Sequence, residues 1–177
     1  LNSYEPDPLR YVVAANMPET SDSDFSWREY VRRNNDELVA TYGNLIHRVL
    51  SMSHRNLNHR VPERGALDSA EVEILNQARH HFDDTGIKIE STKFRAALGS
   101  AMSLSQATNR YLDRKEPWKT IRKDPKNAAT TLSVALTVIN CLKTAMYPFL
   151  PFSSEKLHHM LGFTESIESF GWAWDPD

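Results

Sequence analysis

A tryptophan in a basic stretch is the feature of this sequence that most clearly predicts binding chemistry. Trp118 follows Pro117, a residue that ends helices, and only Asp113 and Glu116 oppose the cations around it. An indole beside cations can stack on one unpaired nucleobase while the cations hold the phosphate backbone. The alternative is that Trp118 plugs a helix end into the hydrophobic core. The neighbouring cations are Arg110, Arg114, Lys115, Lys119, Arg122 and Lys123.

A second candidate is an amide and a guanidinium on one helix face. Asn44 and Arg48 are four residues apart, so in a helix both side chains project from the same side. Gly43 beside them leaves room for close approach of a ligand. Together the two side chains can read the edges of splayed-out bases. From the residues alone, bracing of neighbouring helix ends is the favoured interpretation.

Other kinds of site find little support in the sequence. Its 6 glycines form no phosphate-binding loop, and no Ser/His/Asp or Cys/His arrangement predicts a catalytic nucleophile. The 7 histidines lack metal-ligand spacing, so we expect no metal site. Cys141 is the only cysteine and lies in an apolar segment, where a thiol is usually inert. We therefore predict no catalytic residue in this chain by itself.

Length and charge restrict the class of protein. The 177 residues suffice for one domain with its own core, and a net charge of −2 does not by itself indicate a polyanionic partner. Basic residues nonetheless dominate stretches 47–64 and 110–126, which predicts a local basic face. The longest apolar stretch, 132–142, is interrupted by polar residues and reads as too short to span a bilayer. We expect a cytoplasmic protein without a membrane partner, cut from something longer.

The elements that would position these residues are helices. Asp7 followed by Pro8 predicts an N-cap and first turn of a short helix to about residue 15. Ser26 and Glu29 predict a capping box that opens a long helix to about Met52.

The rest of the chain also has helical spacing and lacks sustained alternation of apolar and polar residues. Asp68 and Glu71 predict another capping box, and Thr85 with Gly86 should weaken or end the helix that follows. Pro117 should stop the next helix. The three later helices are predicted from Phe94 to Pro117, at 128–147 and at 153–161. The sequence thus predicts an all-α helical bundle with a short irregular or helical N-terminal extension.

Three segments together resemble the C-terminal part of class I methionyl-tRNA synthetases. The first is Asp7-Pro-Leu-Arg-Tyr-Val-Val-Ala-Ala-Asn-Met-Pro-Glu-Thr20, running into Asp24-Phe-Ser-Trp27. The second is Asn34-Asn-Asp-Glu-Leu-Val39, followed by Gly43-Asn-Leu-Ile-His-Arg48. The third is Asn109-Arg-Tyr-Leu-Asp113, ending in Glu116-Pro-Trp118. Order and spacing are similar over nearly the whole chain, and the Gly-Asn-x-x-x-Arg element makes the combination specific.

The resemblance implies an α-helical anticodon-binding domain at 25–177, truncated at its C-terminus, preceded at 1–24 by the tail of the stem-contact region. In that family a tryptophan matching Trp118 stacks with the anticodon, and residues matching Asn44 and Arg48 contact its bases. The implied partners are the CAU anticodon loop of methionine tRNA and the catalytic domain of the same parent chain. The cations expected to hold phosphates are Arg114, Lys115, Lys119, Arg122 and Lys123.

The family's two active-site signatures are absent from this sequence. The parent enzyme implied by the resemblance would join methionine to its tRNA with ATP and Mg²⁺, whereas this fragment should hold no cofactor and be inactive alone. Two alternatives stay open. One is the corresponding domain of a synthetase for valine, isoleucine, leucine or cysteine. The other is a helical protein–protein module anchored by Trp118, Trp172 and Trp174.

Overall fold

The computed structural model describes residues 5–19, 24–57 and 60–174, and all regular structure within those ranges is helical. The predicted all-α bundle is therefore confirmed. One long helix contains a π-helical segment (Asn34–Gly43) in its middle. The α-helices are α1 (Pro6–Ala15), α2 (Trp27–Arg33), α3 (Asn44–Asn56), α4 (Ser69–Glu90), α5 (Phe94–Lys115), α6 (Pro117–Thr120), α7 (Pro125–Met146), α8 (Pro151–Met160) and α9 (Ile167–Phe170).

The first long helix runs without a break from α2 through the π-helical segment to α3, as its apolar spacing predicts. Ser26 Oγ accepts the backbone N–H of Glu29 at 3.1 Å, which satisfies one of the unpaired donors at the helix start. This is one half of the predicted capping box. The Glu29 carboxylate itself accepts hydrogen bonds from Arg32, the shorter of them at 2.7 Å.

The π-helical segment was not predicted, because its apolar residues still fit a period close to that of an α-helix. Its wider turns place residues five apart in contact, and the Thr41 hydroxyl donates to the carbonyl of Asp36 at 2.8 Å. A Cβ on Gly43 would lie 3.0 Å from the Leu38 carbonyl oxygen. Glycine at 43 therefore relieves crowding inside the helix. The segment ends at Gly43, immediately before the candidate Asn44.

Helix α4 shows one correct and one wrong prediction. Asp68 and Glu71 form the complete capping box, in which each side chain accepts a backbone N–H of the other. The prediction that Thr85 and Gly86 weaken or end the helix is wrong, since α4 continues to Glu90. The Thr85 hydroxyl donates to the carbonyl of His81, and a Cβ at Gly86 would lie 2.9 Å from the Trp172 indole nitrogen. Gly86 is thus explained by packing of the C-terminal segment against the helix.

Helix α7 forms the centre of the core. It packs against α4, α5, α3 and α8, and most of its side chains are buried. By length and composition alone, α7 is the one helix in the described ranges that could cross a membrane, which corrects the expectation that the apolar stretch 132–142 is too short. However, 83% of the most apolar 18-residue window of α7 is buried inside the bundle. Such burial is typical of a core helix. Burial also raises the pKa of the Cys141 thiol, which keeps it protonated and unreactive.

Asp7 acts differently from its predicted role as an N-cap. It lies inside α1, whose N-cap is Glu5, and its side chain is buried. Its Oδ2 accepts the backbone N–H of Ser153 at 2.6 Å, 146 residues away in the sequence. Asp7 therefore satisfies a free donor in the first turn of α8 and ties the N-terminal helix to the C-terminal part of the bundle.

The segment after α8 is held by a buried lysine–histidine pair. Lys143 Nζ lies 2.7 Å from His158 Nδ1, and the His158 ring stacks on Phe163 with centroids 4.4 Å apart. Lys143 Nζ also lies 4.5 Å from the centre of the Phe163 ring. Burial lowers the pKa of Lys143 to about 8.

This lowered pKa predicts that stability rises with pH between about 8 and 10. In that range the folded chain has lost the Lys143 proton while the unfolded chain, with its ordinary pKa of 10.5, still binds it. Unfolding then takes up a proton, so the free energy of unfolding increases with pH. Urea unfolding at pH 7.5, 8.5 and 9.5 should show this rise in the wild type and a smaller one in Lys143→Met. Parallel profiles for the two proteins would contradict it.

Candidate nucleic-acid interface

The junction between α5 and α6 sets the position of Trp118. Helix α5 ends at Lys115, and Glu116 adopts a left-handed backbone conformation with φ of 44°. Pro117 then occupies the first position of α6, where its fixed φ suits a helix start. The chain therefore turns sharply, and Trp118 is carried to the surface with its side chain 38% exposed. With this exposure, part of the indole is available for contact with a ligand, so Trp118 does not serve only to fill the core.

Trp118 and Arg48 are in direct contact, although 70 residues separate them in the sequence. The guanidinium carbon of Arg48 lies 4.9 Å from the centre of the Trp118 ring, within the range of a cation–π interaction. Arg48 also donates to Asp113 at 2.9 Å and to the Asn109 side-chain oxygen at 3.5 Å. The bracing that the residues alone suggested for Arg48 is thus present, and it holds the guanidinium against the indole.

Asn109 supports this arrangement from α5. Its amide nitrogen donates to the carbonyl of Thr41 at 3.1 Å, which links α5 to the π-helical segment. Asp113 lies one turn further on and completes the support for Arg48. Sequence reasoning did not single out Asp113 as a site residue. The signal available was its spacing of four from Asn109, which puts both on the helix face that meets Arg48.

Asn44 stands one helical turn before Arg48 at the start of α3. Its side chain is exposed and makes no hydrogen bond to the described part of the chain. Both its donor and its acceptor are therefore available to a ligand. An indole, a guanidinium and a free amide thus form a connected surface on α3 and α6, which we call the aromatic platform (Asn44, Arg48 and Trp118).

The five cations predicted to hold phosphates differ in their surroundings. Arg122 and Lys123 are exposed and have no ion pair within the described ranges. Lys119 contacts Glu116 at 2.6 Å on the surface, and Arg114 lies 3.8 Å from Glu73. Such exposed pairs are weak and can be exchanged for a phosphate contact. These four cations are therefore accessible to a polyanion.

Lys115 is turned inward. Its side chain is only 12% exposed, and its ammonium group lies 2.6 Å from Glu71 and 2.9 Å from Asp68. Burial lowers the pKa of Lys115, but hydrogen bonds to these two carboxylates outweigh it, so the pKa is raised overall. Its predicted contact with phosphate stays a prediction; its present contacts give it a role in holding α5 against the start of α4.

The other tryptophans considered as anchors pack on their own bundle. Trp172 stacks on Phe82 with ring centroids 4.8 Å apart. The Trp174 indole nitrogen donates to the carbonyl of Thr137 at 3.1 Å. Within the described residues, no group of three or more His, Cys, Asp or Glu side chains could hold a metal ion. The aromatic platform with its four exposed cations is therefore the best-supported ligand surface.

Comparison with known families gives two matches that together cover most of the chain. The family described as the anticodon binding domain of methionyl tRNA ligase matches residues 61–175. The family described as class I tRNA synthetases (M) matches residues 1–50.

Methionine–tRNA ligases of bacteria are similar to this chain over nearly its whole length. The protein from Dehalococcoides mccartyi strain 195 is 51% identical over 172 residues, which is 97% of this chain and 31% of that protein. The one from Roseiflexus castenholzii is 48% identical over 164 residues, 93% of this chain and 28% of that protein. The chain thus spans less than a third of the length of these curated relatives.

Solved structures agree with the sequence matches. Methionyl-tRNA synthetase of Mycobacterium tuberculosis in its free state superposes with a TM-score of 0.87 at 26% identity, covering 97% of this chain and 37% of that one. The same enzyme in complex with methionyl-adenylate gives a TM-score of 0.89 at 26% identity, covering 96% and 35%. The matches confirm the resemblance drawn from the sequence: the chain belongs to the methionyl-tRNA ligase family, and residues 61–175 match its anticodon-binding domain.

Proposed function

We propose that this chain reads the CAU anticodon of methionine tRNA for a parent methionine–tRNA ligase. The observation that carries the proposal is the contact between Arg48 and Trp118, with the unpaired Asn44 one turn away. Packing of the core does not require a partly exposed indole, a guanidinium held by hydrogen bonds and a free amide to lie together on one surface. Single-stranded loops are read by this combination of stacking and hydrogen bonds to base edges.

The mechanism begins with unstacking of the anticodon loop. Its first base, a cytosine, packs on the Trp118 indole, and such stacking contributes about 1–3 kcal/mol. Asn44 and Arg48 then form hydrogen bonds with exposed base edges. A wrong base would leave these donors unpaired, which costs about 1–3 kcal/mol for a desolvated group. Arg114, Lys119, Arg122 and Lys123 hold phosphates without regard to sequence.

The activity of the parent enzyme is part of the same proposal. It joins methionine to tRNA with ATP and Mg²⁺, which its catalytic domain would bind; methionyl-adenylate in the similar Mycobacterium tuberculosis enzyme supports this. Residues 25–177 would form the reading domain, and residues 1–24 would link it to the catalytic domain in the cytoplasm. The chain in hand should not aminoacylate tRNA alone.

The test is a titration of the chain with a methionine anticodon stem-loop and with the same loop carrying a permuted anticodon. Tryptophan fluorescence reports binding. The proposal requires tighter binding to the CAU loop. Equal, salt-sensitive binding to both loops would mean that specificity comes from elsewhere in the parent. Absence of binding at low salt would favour a protein–protein module instead.

A surface cation should affect affinity without affecting specificity. Lys119→Ala should weaken CAU and permuted loops by a similar factor, because a phosphate contact carries no sequence information. It should also reduce the slope of log K against log salt by about 0.7, the value for one contact to a single strand. Lys93→Ala is the control, because this exposed lysine precedes the start of α5, at the end of that helix away from Trp118. A loss confined to the CAU loop would contradict a pure phosphate role.

A further inference from the structure

The π-helical segment lies directly before the aromatic platform in the chain. It ends at Gly43, and Asn44 and Arg48 follow in the first two turns of α3. A π-helix is rare, occurs mostly as a single turn inside an α-helix and is frequent at functional sites. This segment is 10 residues long, so more than one turn departs from α-helical geometry. Its length and place in the chain relate it to the two platform residues on α3.

The wider turns of the segment determine the direction in which α3 presents its side chains. A hydrogen bond between residues five apart, instead of four, places more residues in each turn, so each residue rotates the helix by a smaller angle. The backbone N–H of Asn44 still donates to the carbonyl of Val39, five residues earlier. Side chains after the segment therefore face a different side from the one that they would face in an unbroken α-helix.

Gly43 and Thr41 fit the wider geometry from within the segment. A Cβ at Gly43 would lie 3.0 Å from the Leu38 carbonyl oxygen, five residues earlier. That distance is shorter than the one at which carbon and oxygen atoms normally meet, so a side chain at 43 would force the two residues apart. The Thr41 hydroxyl donates to the carbonyl of Asp36 at 2.8 Å, again across five residues. The segment thus has room where it is narrowest and an additional hydrogen bond that spans its turn.

Asn109 on α5 links the segment to the platform. Its amide nitrogen donates to the Thr41 carbonyl at 3.1 Å, and its side-chain oxygen accepts from Arg48 at 3.5 Å. One amide group therefore contacts both the π-helical segment and the guanidinium that lies 4.9 Å from the centre of the Trp118 ring. A change of helical geometry at Thr41 would move the carbonyl that this amide holds. Through the same amide, it would also move the Arg48 guanidinium relative to the indole.

We propose that Gly43 and Thr41 are positioning residues for anticodon discrimination and act without contacting the RNA. They hold the π-helical geometry, which fixes the rotation at which α3 presents the aromatic platform. This inference rests on the proposed function of the platform. The effect of the two residues on discrimination passes through the positions of Asn44 and Arg48. The phosphate contacts of the exposed cations on α5, on α6 and in the turn after α6 do not depend on this rotation.

The first experiment compares the affinity for the CAU stem-loop with that for a permuted loop. Gly43→Ala should lower the ratio of the two affinities by at least about fivefold, which corresponds to the loss of one hydrogen bond to a base edge. The reason is that the added methyl group displaces the Leu38 carbonyl and rotates α3. The slope of log K against log salt should stay unchanged, since the phosphate contacts remain.

Gly99→Ala is the matched control for this variant. Gly99 lies in α5, and a Cβ there would meet no neighbouring group within 4 Å. Alanine raises helix propensity at both positions, so the crowding at Gly43 distinguishes the two variants. Gly99→Ala should therefore keep the wild-type ratio of affinities.

Thr41→Val tests the segment without adding bulk. Valine has nearly the shape of threonine but cannot donate to the Asp36 carbonyl, so the ratio of affinities should fall in the same direction as in Gly43→Ala. Thr41→Ser keeps the hydroxyl and should bring the ratio back close to the wild-type value. A substitution that only lowers stability would leave the ratio unchanged, because both loops bind the same folded population.

A measurement without RNA separates this inference from the proposed function. In a chain labelled with fluorinated tryptophan, Trp118→Phe assigns the fluorine resonance of Trp118. That resonance should shift in Arg48→Ala, because the guanidinium no longer lies over the ring. Gly43→Ala and Thr41→Val should shift it in the same direction, whereas Gly99→Ala should leave it in place.

Each outcome decides for or against the positioning role. A wild-type ratio of affinities in Gly43→Ala and Thr41→Val would overturn it, whatever the resonance shows. A lower ratio together with a shifted resonance supports it. If the wild-type chain binds neither loop at low salt, the proposed function fails. An unshifted Trp118 resonance in the two variants would then overturn the positioning role as well, and a shifted one would support it.

Discussion

Replacing Trp118 with alanine should weaken binding of the CAU stem-loop by about 5- to 150-fold, the range that corresponds to 1–3 kcal/mol of lost stacking. Discrimination against permuted anticodons should fall at the same time. The indole both stacks on the first base and holds the Arg48 guanidinium at 4.9 Å, so its loss also frees Arg48 to move. The fold should persist, because the side chain is already partly exposed.

The measurement is fluorescence titration with CAU and permuted loops at one fixed salt concentration. Trp118→Phe keeps a smaller aromatic face and should retain part of the affinity. Trp172→Phe is the matched control, since Trp172 packs on Phe82 away from the platform and should keep both affinity and quenching. If Trp118→Ala weakens binding of the CAU loop and of the permuted loops by the same factor, Trp118 has no role in discrimination between anticodons.

Replacing Glu71 with alanine should lower the free energy of unfolding by about 3–5 kcal/mol, the usual cost of removing one partner from a buried ion pair. The Glu71 side chain is 1% exposed and lies 2.6 Å from the Lys115 ammonium. It also accepts hydrogen bonds from the Tyr111 hydroxyl at 3.1 Å and from the Asp68 N–H at 3.0 Å. Its removal leaves Lys115 with Asp68 alone and Tyr111 without its carboxylate partner.

Urea unfolding followed by circular dichroism measures this loss. The control is Glu73→Ala, two residues further along α4, where an exposed carboxylate lies 3.8 Å from Arg114. That pair should contribute less than about 1 kcal/mol. Similar losses for the two variants would contradict a special role of the buried pair. Lys115→Met, which leaves the buried Glu71 carboxylate without its cation, should destabilise by a comparable amount.

The sequence by itself determined the helices and most of their ends. Ser26 and Asp68 were recognised as caps because a capping hydrogen bond joins residues only two or three apart. The same reasoning placed Asn44 and Arg48 on one face, since helical periodicity alone sets that relation. It also gave the all-α class, because apolar residues recur at helical spacing throughout. These features depend on interactions within about one helical turn.

Only the tertiary structure decided what those faces meet. The contact of Arg48 with Trp118, the inward turn of Lys115 and the cap that Asp7 provides for α8 join residues far apart in the chain. Glycine at position 86, inside α4, is explained by the Trp172 side chain that packs against it, and no local sequence pattern reveals this contact. Such contacts depend on how all the helices pack around α7. A sequence pattern predicts which side of a helix is buried and which is exposed. The packing of the helices determines which residues contact each side.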